Sequence, residues 1–167
     1  TGTPALAWNE TRDRFTLSKG LELTAGMLFL GDTANANMTT GITINQAAAW
    51  DVIQAFKSST VAHTITDIIE ADTYGWFMKQ HGNEGGLKIA GVVATGQNHG
   101  AIWIEGQTVD AADTGKLGSD WGIINLNARV KDGANNVQAV GADGNLVTIS
   151  NHSMVRFIFD AEGSAHA

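Results

Sequence analysis

Cysteine is absent from this 167-residue chain, which excludes disulfides, thiolate metal ligands and cysteine nucleophiles. Charge is scarce: Asp, Glu, Lys and Arg make up 16% of the residues, against roughly 25% in an average soluble protein. Basic clusters are missing too, and the formal net charge is −7. Affinity for nucleic acid comes largely from clustered Lys and Arg, so a nucleic-acid partner is not expected. No apolar run reaches the roughly 18 residues that a spanning helix needs, so no membrane insertion is expected. The opening Thr1-Gly2-Thr3-Pro4 has no initiator methionine and neither the basic nor the apolar region of a signal peptide. It reads as the start of a processed chain or of a segment cut from a longer one.

What remains is rich in small neutral residues. Glycine alone numbers 20, about 12% against roughly 7% on average. A monomer needs charge around its whole exterior for solubility, so a surface this poor in charge fits a chain partly covered by neighbouring copies. A homo-oligomer is the expectation.

Alternation is the dominant pattern. Ile124, Leu126, Ala128 and Val130 interleave with Asn125, Asn127 and Arg129, the period of a strand with one wet face. Val155, Phe157 and Phe159 alternate with Arg156, Ile158 and Asp160, and shorter pieces repeat the theme at Ile42/Ile44, Leu87/Ile89, Ile102/Ile104 and Val147/Ile149. Asp132-Gly133 and Asp143-Gly144 tolerate the positive φ of tight hairpin turns. Leu6 and Trp8, separated from Phe15 and Leu17 by a polar run, read as a further hairpin whose apolar faces meet. Over Gln46 to Lys57 the spacing of Ala49, Val52 or Ile53, and Phe56 allows one short helix, while Val52, Ile53 and Phe56 also suit a strand. The expected fold is therefore all-β: short antiparallel strands in a sandwich, a β-prism or an intertwined fibre-like arrangement, with at most one short helix near 46–57. Residues 1–30 read as an N-terminal hairpin segment for attachment or a shaft, and 31–167 as the main β domain.

Chemistry-bearing constellations are few. The histidines, His63, His81, His99, His152 and His166, show no helical zinc spacing, so no metal site is expected. No nucleophile elbow or phosphate-cradling loop is present, and neither a catalytic residue nor a cofactor is expected. Asp67, Glu70 and Asp72 form the densest acidic cluster, beside Tyr74 and Trp76. They read as solvated loop carboxylates, with a glycosidase pair as the alternative. Of the five tryptophans, Trp103 lies between Ile102 and Ile104, opposite their face, and Trp121 lies in the loop-like Gly118-Ser119-Asp120-Trp121-Gly122. Trp103 and Trp121 are the candidate glycan-binding residues, because exposed indole faces stack on sugar rings.

Two stretches resemble a known class of protein. Gly2-Thr3-Pro4-Ala5-Leu6-Ala7-Trp8 with Asp13-Arg14-Phe15 resembles hairpins of tail-fibre and other virion proteins of tailed bacteriophages. Val155-Arg156-Phe157-Ile158-Phe159-Asp160-Ala161-Glu162-Gly163 is similar to the R-F-x-x-D-x-x-G strand and turn of the same fibres. Pieces between them, Gly41 to Gln46, Lys57 to His63 and Asp72 to Gly75, are similar to a module of phage-like and environmental virus sequences. The resemblance implies a β-rich virion component, a fibre or capsid decoration, usually trimeric. Its implied partners are copies of itself, other virion proteins and a host-surface glycan, and it brings no catalytic residue. In such fibres one module commonly follows another, so the chain is expected to be one unit of an array.

Overall fold

The computed structural model describes residues 6–9, 11, 14–17 and 26–166. The chain divides into two units, Thr1–Trp103 and Ile104–Ala167, each described by itself. Both are all-β, in several short sheets, none closed into a barrel, and no helix occurs among the described residues.

In the first unit β1 (Leu6–Asn9) pairs antiparallel with β2 (Arg14–Leu17), setting Leu6 opposite Leu17 and Trp8 opposite Phe15. This is the backbone of the expected hairpin; the meeting of its apolar side chains lies outside the described residues, as do Gly2 to Ala5 and Asp13. Strands β3 (Met27–Leu30) and β4 (Gly41–Ile44) are parallel, not antiparallel as the pattern suggested. The chain turns back between them at Gly31, where a β-carbon would lie 2.2 Å from the Asn45 carbonyl oxygen, so only glycine fits.

The main sheet of this unit is antiparallel, in the order β5 (Val52–Lys57), β6 (Thr73–His81), β7 (Gly85–Gly91). The helix allowed over 46–57 does not form. The branched and aromatic residues Val52, Ile53 and Phe56 enter β5, whose backbone groups bond to β6, and Ala47 sits in a turn at φ 51°. Trp76 in mid-β6 is the buried apolar centre, 6% exposed, flanked in register by Ala55 and Ala90, whose small side chains leave room for the indole.

The second unit contains the hairpin β8 (Val130–Lys131) and β9 (Val137–Gln138), and the sheet β10 (Asn145–Asn151), β11 (Met154–Asp160), β12 (Ala165–His166). Asp132-Gly133 does turn a hairpin, with Asp132 Oδ1 accepting the N–H groups of Ala134 at 2.9 Å and Asn136 at 3.1 Å. Asp143-Gly144 instead leads into β10 without joining paired strands; the tight hairpin is at His152-Ser153, with His152 at φ 55°. Two expected strands are corrected. Ile102–Ile104 is not a strand, and of the run Ile124–Val130 only Val130 is, because among the described residues no segment of the same chain lies in register to pair with the rest.

Candidate functional site

The most extensive surface feature is apolar. On β11, Val155, Phe157 and Phe159 share one side, and the register sets Phe157 beside Ile149 and Phe159 beside Val147 of β10. All but Val147 are exposed. The other side carries Thr148, Arg156, Ile158 and His166, so the sheet has a polar and an apolar face. The β5–β7 sheet repeats the arrangement: Phe56 and Phe77 meet edge to face at 5.5 Å, and Ile89 and Leu87 extend their side, Leu87 being 70% exposed.

Below β11 the chain is held by one carboxylate. Asp160, largely buried, accepts at Oδ1 from the N–H groups of Ser164 (2.8 Å) and Glu162 (3.1 Å), while His166 Nε2 donates to Oδ2 at 2.7 Å. These bonds, His166 first and then the Ser164 and Glu162 amides, hold the Asp160 carboxyl below its ordinary pKa. Gly163 completes the turn at φ +84°. The D-x-x-G spacing thus has a physical cause: one side chain caps the turn, and glycine alone takes its left-handed position easily.

Two carboxylates of the acidic cluster share one ammonium. Lys57 Nζ donates to Glu70 Oε2 and, at 3.1 Å, to Asp72 Oδ1, and Asp67 stands exposed. The hydrogen bond to Glu70, then that to Asp72, raises the Lys57 pKa. These groups brace the loop beneath β6. Its pin is His63, buried, whose Nε2–H donates to the Thr73 carbonyl at 2.9 Å while Nδ1 accepts from the Ile65 amide at 3.3 Å. An isolated histidine in a polar stretch carries no sequence signal for that role.

Trp103 and Trp121 are 83% and 67% exposed, and they lie in different units. Trp121 has the better-built setting. Asp113 accepts from Gly115 N–H at 2.9 Å and from Trp121 N–H at 3.3 Å, and Asp120 accepts from Leu117 N–H at 2.6 Å. A β-carbon on Gly115 would fall 2.1 Å from Asp120 Oδ2, so a larger residue there would displace that carboxylate. A third exposed indole, Trp50, lies edge-on to His81 at 6.3 Å. The first unit also has a shallow groove of about 410 Å³ lined by Asp32, Asn45, Gln46, Ile53, Met78 and Lys79. Asn45 Nδ2 donates to Asp32 Oδ2 at 3.1 Å across it. Among the described residues no cluster of three or more metal-ligating side chains occurs.

No protein-family model, curated protein or solved structure matches the chain.

Proposed function

We propose that the chain is a non-catalytic structural module that works as a permanent homo-oligomer, a trimer by preference, in a phage-type virion as a fibre or decoration component. One observation carries the oligomer: among the described residues Trp76 is the only large apolar side chain buried in a single copy, while 26 others are exposed. The accessible surface is 13,937 Å². A compact monomer of this mass exposes roughly 7,900 Å², and two separate bodies of these two sizes about 9,500 Å². The surplus, on the order of 4,000 Å², is of the size that obligate assemblies bury. Sister copies are the coverings that a charge-poor chain can supply itself. A sandwich, prism or intertwined fibre of these short sheets would each do so.

The virion assignment rests on the resemblance of both ends to phage fibre modules, and the Asp160 turn supports it by giving the D-x-x-G spacing a structural reason. Residues 1–30 serve in this scheme as the attachment or shaft segment.

If copies fold only together, the thermal midpoint rises with protein concentration, because association and folding are one equilibrium. Calorimetry over a hundredfold range of concentration tests this; a midpoint that stays constant would remove the oligomer. Antibodies against the chain should decorate intact phage particles, and bare particles would remove the virion assignment.

The exposure of Trp103 and of the braced Trp121 favours a second reading, a glycan-binding module on the same particle. Binding on a glycan array that Trp121→Ala or Trp103→Ala abolishes would support it.

A further inference from the structure

Between Ile104 and Arg129 the described backbone makes a single backbone-to-backbone hydrogen bond, from the Asp120 amide to the Leu117 carbonyl at 3.0 Å. The end of this stretch nevertheless has the strictest strand pattern in the sequence: Leu126, Ala128 and Val130 alternate with Asn125, Asn127 and Arg129. Backbone groups in folded proteins are almost always paired, and an open row of them beside apolar side chains is a template for another chain. Leu126 is 69% exposed. A groove of about 290 Å³ is lined by Leu126, Asn127 and Ala128 together with Leu146 and Val147 of β10.

We infer that Asn125–Arg129, leading into β8, is a strand completed between copies: it pairs edge to edge with a segment of a neighbouring copy, whose apolar side chain fills the groove beside β10. The occupant is a second copy on grounds of area. The second unit buries no apolar side chain among its described residues and exposes fifteen large ones. Those fifteen present on the order of 1,500 Å², above the roughly 1,000 Å² that one partner gives to an obligate interface. A pattern that specifies a strand but finds no partner among the described residues of its own chain is the expected mark of a sheet shared between chains.

This inference rests on the homo-oligomer reading, and hydrogen exchange on the full chain separates the two. In the assembled protein the amides of residues 125–129 should exchange at least about 100-fold slower than an unstructured chain. Asn127→Pro removes an N–H that makes no backbone bond among the described residues of the single copy, so it should weaken assembly without breaking a contact within one copy. Unprotected amides at 125–129 in an intact oligomer, or assembly of Asn127→Pro at unchanged affinity, would overturn the shared strand and leave the oligomer standing. A monomeric unaltered chain would overturn both. Should Asn127→Pro fail to fold, exchange in the unaltered protein still decides.

Discussion

Replacing Trp76 by alanine should cost the first unit most of its stability. The indole is 6% exposed and stands between Ala55 and Ala90, so nothing beside it on the neighbouring strands is large enough to collapse into the vacated volume. It already borders a hollow of about 260 Å³ shared with Ile65, Ile68 and Ile69, and truncation would enlarge that hollow. A buried aromatic removes about 150–250 Å² from water, worth about 4–6 kcal/mol at roughly 25 cal/mol per Å². Tryptophan-to-alanine changes in cores cost about 3–5 kcal/mol. A unit of this size has about 5–15 kcal/mol in all, so the variant should be marginal at room temperature and Trp76→Phe intermediate. Urea unfolding followed by far-ultraviolet circular dichroism, with amide exchange in β6 and β7, measures the loss. A change below about 1 kcal/mol, the scale of surface substitutions, would show that the sheet is not organised around this residue.

Thr73 is 1% exposed and its hydroxyl has no hydrogen-bond partner among the described residues, so Thr73→Val should be neutral or stabilising by about 1 kcal/mol in the same urea assay; a loss would mean that the hydroxyl is satisfied. Asp160 has a folded pKa below its ordinary value, so its contribution is complete above the normal carboxylate range and disappears as pH falls through the lowered value, below about pH 4. Acid should therefore release the β11–β12 pairing, read as faster exchange at 162–166, and Asp160→Ala should release it at neutral pH. Lys57 has the opposite sign: its raised pKa makes its bracing of Glu70 and Asp72 complete below its usual range and lost only above about pH 10, so Lys57→Met should loosen 58–72 at neutral pH. Gly115→Ala should push the Asp120 carboxylate off the Leu117 amide and weaken any glycan binding that depends on Trp121, without altering the β10–β11 sheet.

How far the sequence was legible depended on where each residue's partner lies. Period-two runs with a partner nearby became strands: Leu87 and Ile89 in β7, Val147 and Ile149 in β10, Val155 to Phe159 in β11. Ile124 to Val130 has the same pattern and forms almost no strand, since alternation records which face is wet and not who supplies the hydrogen bonds. The parallel β3–β4 pair was invisible because direction of pairing leaves no trace in a four-residue run. The His152-Ser153 turn was missed because it lacks the glycine that marks such turns. The exposure of Trp121 agrees with its loop-like neighbours, but that of Trp103 does not follow from alternation, since Ile102 and Ile104 are exposed beside it, and the burial of His63 depends on a carbonyl ten residues away. The acidic cluster was readable as a group, but Lys57, which joins Glu70 to Asp72, lies outside it in sequence.

Sedimentation equilibrium of the unaltered chain at ten micromolar bears most directly on whether copies complete one another. The expected result is a single species whose mass is a whole multiple of 17.6 kDa, three being the preferred multiple, with no monomer on dilution. A monodisperse 17.6 kDa particle with a cooperative unfolding transition of its own would contradict it.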